Sequence, residues 1–154
     1  YIGGGQEKNL SPGTENIVGI YGLSLALEIS LNTANKREQK IIENETQFIN
    51  TLQAMNIKFK VNGENRLPGI LNLTFIDILS NDLVMALDMN GYAISGGSAC
   101  SSGLTIAPNS LIQIGMTEED AKKSVRISFG KDIDKEDINN LSQCILKIIN
   151  NTHE

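Results

Sequence analysis

The chain is 154 residues long and 40% hydrophobic, with a formal net charge of −5 and two cysteines. That length predicts one domain, or one domain with an appendage, with enough apolar residues for a core. The acidic balance, with no basic cluster larger than Lys122-Lys123, argues against a nucleic-acid partner; two cysteines make neither a disulfide framework nor a four-cysteine metal site; and no run approaches the roughly 18 consecutive apolar residues of a membrane span. A soluble, reducing, cytoplasmic setting is expected. The chain opens abruptly on Tyr1-Ile2-Gly3-Gly4-Gly5 rather than on methionine, and is expected to be a piece of something longer.

Residues 1–13 carry Gly3, Gly4, Gly5, Pro12 and Gly13 and are predicted to be loop. From Thr14, Ile17, Ile20, Tyr21, Ser24 and Leu27 recur at helical spacing, predicting a helix to about Ser30. A second, more polar helix is predicted from the stripe Ile41, Phe48, Ile49, Leu52 and Met55. Residues 57–61 alternate apolar side chains with lysine, Asn62-Gly63 marks a turn, and residues 70–76 form a second predicted strand. Ser80 is predicted to cap a short helix that stops at Gly91, and residues 93–95 a short strand. Pro108 and Thr117-Glu118-Glu119-Asp120 start two further short helices, 125–129 is a strand, and Asp134 caps a last helix with the stripe Ile138, Leu141, Ile145 and Ile148. Strands and helices mix without strict βαβ alternation, so a small α+β layer is expected, to which the front of the chain does not belong.

The two cysteines stand in opposite settings. Cys144 lies on or beside the apolar stripe of the last helix and is expected in the core. Cys100 sits in Gly96-Gly97-Ser98-Ala99-Cys100-Ser101-Ser102-Gly103, where little apolar surface could bury it and glycine gives backbone freedom. It is either incidental to a tight turn or a mobile nucleophile, and a thiolate, unlike serine, can hold a second sulfur as a persulfide. The sole histidine, His153, stands next to the C-terminal residue and is expected in a disordered tail, so a self-contained Cys–His dyad is not expected. Whatever Cys100 attacks must come from outside these residues.

Gly13-Thr14 precedes the first predicted helix, so Thr14 is either a simple N-cap or, with the free N–H groups of a helix start, part of a phosphate cradle. Among the three arginines, Arg37 and Arg66 lie in polar text and are expected to be solvated. Arg126 stands inside an apolar strand, where an unpaired buried charge is costly, so it needs either a structural acid or a substrate carboxylate.

Taken together, Gly3-Gly4-Gly5-Gln6-Glu7, Gly13-Thr14-Glu15-Asn16, Gly97-Ser98-Ala99-Cys100-Ser101-Ser102-Gly103 and Val125-Arg126-Ile127-Ser128-Phe129-Gly130 resemble, in order and spacing, the C-terminal part of cysteine desulfurases of the NifS/IscS type, pyridoxal-phosphate enzymes of the class V aminotransferase family. The resemblance covers essentially the whole chain. It implies a fold-type I subunit in which 1–33 are the tail of the large cofactor domain and 34–154 the small C-terminal α+β domain, mainly antiparallel sheet with flanking helices, its catalytic loop at about 94–107. It implies that Cys100 takes the sulfur of L-cysteine, leaving L-alanine and an enzyme persulfide for a scaffold or sulfur-carrier protein. By the same resemblance Arg126 binds the substrate carboxylate, and Thr14 reaches the pyridoxal 5'-phosphate of the other subunit of a homodimer. The family's Schiff-base lysine, stacking histidine and cofactor-binding aspartate have no counterpart here, so this chain by itself is expected to be inactive. Ser11-Pro12 stands where the family often carries an arginine. A selenocysteine lyase-like enzyme and a cofactor-independent sulfur-relay module are the alternatives.

Overall fold

The computed structural model describes residues 2–96 and 107–152. Contacts divide the chain into two units, residues 1–36 and 37–154. In the first unit a 3₁₀ turn at Gln6–Asn9 precedes the start of helix α1 (Ile17–Ala54). Asn16 caps that helix, its Oδ1 accepting from the Gly19 N–H at 3.0 Å. The expected pair of helices is one continuous helix. Residues 31–40 contain neither glycine nor proline, so their more polar text marks a change of surroundings and not a break.

The opening turns of α1 are apolar and exposed: Ile17, Val18, Tyr21, Leu23, Leu27 and Leu31 all face solvent. By length and composition this helix could cross a membrane, which a count of consecutive apolar residues did not reveal. Interspersed glycine and serine interrupt the run without making it polar.

The second unit is built on a three-stranded antiparallel sheet in the order β1 (Phe59–Asn62), β2 (Ile70–Phe75), β3 (Ser124–Ser128). The expected α+β layer is therefore observed. Leu71, Leu73 and Phe75 of β2 and Val125 and Ile127 of β3 are buried on one face. Against that face pack Phe48 and Leu52 of α1, Leu83 and Leu87 of α2 (Ser80–Met89), and Ile138, Ile145 and Ile149 of the last helix. Phe48 and Phe129 meet edge to face, with ring centroids 5.5 Å apart. Two short helices, α3 (Asn109–Gln113) and α4 (Glu118–Lys122), lie in the connection to β3. Glu118 and Glu119 accept hydrogen bonds from Lys122 and Lys123 one turn on; those bonds, with the ammonium charges, hold both carboxyls below the usual range.

Two N-caps fall where the sequence places them. Thr117 Oγ1 accepts from the Asp120 N–H at 3.2 Å. At α5 (Lys135–Thr152), Asp134 Oδ1 accepts from the N–H groups of Glu136 and Asp137, while Asp137 Oδ2 accepts from the Asp134 N–H. Ser80 differs: it is the first helical residue, buried, with no capping bond, and Leu79 is the N-cap. Along α5 the inward face carries Ser142 and Ile149 with Ile138 and Ile145, so Leu141 and Ile148 sit at its margin. Cys144, expected in the core, is partly buried and packs against it from the margin. His153 lies outside the described residues.

Arg66 is not solvated as expected. Its Nη1 bonds Glu45 Oε1 at 2.6 Å, and Glu45 Oε2 accepts from the Gly69 N–H at 2.9 Å, so one carboxylate ties the β1–β2 connection to α1. Arg37 is half-buried and engaged. Gly69 is needed beneath this pair, because its φ is +83° and a Cβ there would run into Ile41. Glu45→Gln keeps the shape but removes the charge facing a mostly buried guanidinium, and should cost about 2 kcal/mol. The check is a lowered urea midpoint at unchanged m; an unmoved midpoint would mean that this carboxylate does not hold the connection.

Candidate functional site

The sheet face turned away from the core is polar. Because paired residues share a face, the registers Asn62↔Asn72, Asn72↔Arg126 and Thr74↔Ser124 bring Asn62, Asn72, Thr74, Ser124 and Arg126 together there. Arg126 is exposed on this face, with Val125 and Ile127 inward on either side. The expectation that it is buried in an apolar strand is thus corrected: β3 alternates, and its charge carries no burial cost that a structural acid must offset. Among the described residues no carboxylate lies within ion-pair distance of the Arg126 guanidinium.

Arg126 opens into a cavity of about 300 Å³ lined also by Asn72, Ser95, Pro108, Ser110, Leu111 and Ser124. Ser95 is joined to Arg126 by a two-way backbone bridge, Arg126 N–H to Ser95 O at 2.6 Å and Ser95 N–H to Arg126 O at 3.1 Å. The short strand expected at 93–95 is reduced to this single bridge. Both described flanks of the Cys100 segment, Ser95 before it and Pro108 after it, therefore line the cavity of Arg126. Cys100 itself lies outside the described residues. Gly96 has a different role from the one expected: a Cβ there would stand 3.1 Å from Val84 Cγ2 and 3.5 Å from Ser80, so glycine allows close passage over α2.

The polar face is internally wired. Ser124 Oγ lies 2.7 Å from the Asp120 carbonyl and must donate to it. With its proton so used, Ser124 accepts from Thr74 Oγ1 at 2.8 Å, and Thr74 in turn accepts from Asn62 Nδ2 at 2.8 Å. Asn62 Nδ2 also donates to Asn72 Oδ1 at 2.7 Å. The sequence points to neither Asn72 nor Thr74, and to Asn62 only as part of a turn, whereas Asn62 is the last residue of β1. The signal available was their alternation with Leu71, Leu73 and Phe75 in a strand that was read only as apolar.

Thr14 is exposed, in the first unit. It does not cap α1, since Asn16 does so and the helix begins at Ile17. One of the helix N–H groups next to it is thus spent on Asn16, and among the described residues no partner accepts from the Thr14 hydroxyl.

The outward Arg126, in a cavity it shares with Ser95 and Pro108, is the candidate site of this α+β layer. The aminotransferase class-V family pattern matches residues 4–141, and the chain belongs to that family. Within it the chain is NifS/IscS-like. It is 35% identical to the cysteine desulfurase IscS of Clostridium botulinum (strain Hall) over 99% of this chain and 39% of that protein. It is 38% identical to the putative cysteine desulfurase IscS 1 of Bacillus subtilis (strain 168) over 84% of this chain and 35% of that protein. Among solved structures, the NifS-like protein of Rickettsia africae matches with a TM-score of 0.76 at 26% identity, over 97% of this chain and 39% of its own. A second NifS-like protein shares the fold, with a TM-score of 0.77 at 24% identity. The chain thus spans about two fifths of the length of the relatives it matches.

Thr74→Val removes the middle hydroxyl of the buried chain and leaves the shape. It should lower stability by about 1 kcal/mol, whereas Ser128→Ala, exposed on the same face, should leave it almost unchanged. Denaturant midpoints of the two variants decide this; equal shifts would show that the wired hydroxyls contribute nothing beyond their surface.

Proposed function

We propose that this chain is the substrate-carboxylate and sulfur-accepting part of a pyridoxal-phosphate-dependent cysteine desulfurase that acts as a homodimer in the cytoplasm. The supporting observation is the cavity in which an outward, acid-free Arg126 meets both flanks of the Cys100 segment. Residues 1–33 are read as the tail of the large cofactor domain and residues 34–154 as the small domain. The apolar, exposed turns of α1 are then a face covered by the rest of that large domain and not a membrane span.

Each residue has one task in this reading. The Arg126 fork binds the carboxylate of L-cysteine through paired N–H donors, which fixes the amino acid's orientation. Cys100 follows Ser95 by five residues, a tether of at most about 18 Å, so its thiol is leashed to the carboxylate site. Its thiolate attacks the substrate sulfur. An S–S bond forms, the substrate C–S bond breaks, and that electron pair stays on the carbon, which takes a proton to become L-alanine. Cys100 is left as a persulfide, whose outer sulfur passes to an acceptor such as a scaffold for iron–sulfur clusters or a thiolation carrier. The Thr14 hydroxyl, exposed and unspent, suits a phosphate oxygen and would hold the cofactor phosphate of the partner protomer. When bound, pyridoxal phosphate supplies an electron sink at the substrate α-carbon. With no counterpart of the attachment lysine, these 154 residues alone should release no sulfide.

In the holoenzyme, Cys100→Ala should abolish alanine formation from L-cysteine while the cofactor absorbance is retained. Arg126→Ala should raise the KM for L-cysteine by about 10-fold or more, the worth of a charge-assisted pair. Alanine production at the wild-type rate by Cys100→Ala would overturn the assignment of the nucleophile.

A further inference from the structure

The arginine alone uses only part of a carboxylate's hydrogen-bonding capacity. A carboxylate offers about four lone-pair directions, and a guanidinium fork takes two of them. The wiring of the sheet face supplies a further donor. Because the Ser124–Thr74–Asn62 chain terminates on the Asp120 carbonyl, which can only accept, every hydrogen bond along it has a fixed direction. Asn62 must therefore present its NH₂ to Asn72, and the Asn72 amide oxygen is held on the Asn62 side. Its NH₂ is left on the other side. Among the described residues nothing accepts from that nitrogen, while Asn72 and Arg126 line one cavity from directly paired positions. Paired residues place their Cβ atoms about 4.5–5.5 Å apart. The short amide ends near the sheet, and the longer guanidinium reaches past it.

The orientation is informative. Turned the other way, the Asn72 oxygen would accept from Arg126 and partly satisfy it; the network forbids that turn. Two donors line the same small cavity, and among the described residues no carboxylate pairs with the arginine, an arrangement suited to an anion with two oxygens.

We propose that Asn72 is a second donor to the substrate carboxylate, and that Asn62, Thr74 and Ser124 are positioning residues that lock its amide with the NH₂ toward the substrate. The inference rests on reading Arg126 as the carboxylate ligand. Binding selectivity for amino acids over simple amines then comes from the pair, not from the arginine alone.

The test is made on the holoenzyme with L-cysteine as substrate, L-alanine as an unreactive carboxylate ligand read by the bound-cofactor absorbance, and cysteamine, which lacks the carboxylate, as competitor. Asn72→Ala should raise the KM for L-cysteine and the Kd for L-alanine about 10-fold, with kcat falling less than KM rises. The inhibition constant of cysteamine should stay within about twofold. Asn72→Asp, equal in shape but without the donor and with a negative charge, should be worse than alanine at this position. Asn62→Ala, which frees the amide to turn, should give a smaller rise in the same direction. If Asn72→Ala weakens cysteine and cysteamine equally, or weakens neither, the proposal is overturned. Arg126→Ala separates the two levels: loss of carboxylate selectivity there, with none in Asn72→Ala, rejects only the role of Asn72. Unchanged selectivity in Arg126→Ala rejects the underlying reading as well.

Discussion

Strand β2 is paired along both edges, and its two-residue period divides the sheet into an apolar face and a polar one. Leu71, Leu73 and Phe75 are buried and must stay so, since each is worth roughly 1.5–3 kcal/mol of burial. That requirement fixes the register against β1 and β3, because a slip of one residue would turn all three to solvent. Once the register is fixed, Asn72 and Thr74 have no choice but to point away from the core, and Arg126 and Ser124 join them across the ladder. The site residues are thus placed by the apolar residues between them, not by any attraction of their own.

The same constraint governs how the cysteine segment is presented. Ser95 pairs with Arg126 by two backbone bonds, one residue before the chain crosses α2 at Gly96. A Cβ at 96 would stand 3.1 Å from Val84 Cγ2, so a larger residue would require that side chain to give by a few tenths of an ångström. The familiar reading of glycine as freedom is inverted at this position. Close approach over α2 is what glycine allows at this position.

Much of this was legible in the sequence. Caps at Thr117 and Asp134, the strands near 59, 70 and 124, and the α+β layer follow from side chains that act locally, through their own backbone neighbours or through a short period. What failed were inferences that needed partners far along the chain. Arg66 looked solvated because its counter-charge, Glu45, is 21 residues away on a helix. Arg126 looked buried because its strand was read as uniformly apolar, although Arg126 and Ser128 alternate with Val125 and Ile127. Asn72 and Thr74 carry no signal because an asparagine or threonine in a strand is unremarkable until the register shows which hydroxyl it meets, and Asn62 beside Gly63 has the look of a turn. The continuity of α1 is hidden in the sequence because its polarity changes near residue 31 while its conformation does not.

The two faces of the sheet also explain why the polar one can be specific. Its hydroxyl chain is buried where Thr74 meets Ser124, each hydroxyl has one partner on either side, and the chain ends on a backbone carbonyl that has no protonation state to change. Direction is therefore set by covalent chemistry and not by solvent or pH. A side chain at the open end of such a chain inherits that direction, so the Asn72 amide is oriented before any ligand arrives. An arginine fork on a long stem gives charge and a pair of donors; a short amide clamped from behind gives a further donor at a fixed place but no charge. Placed on paired residues of adjacent strands, the two supply what neither has alone, and both are held there by the burial of leucines on the opposite face.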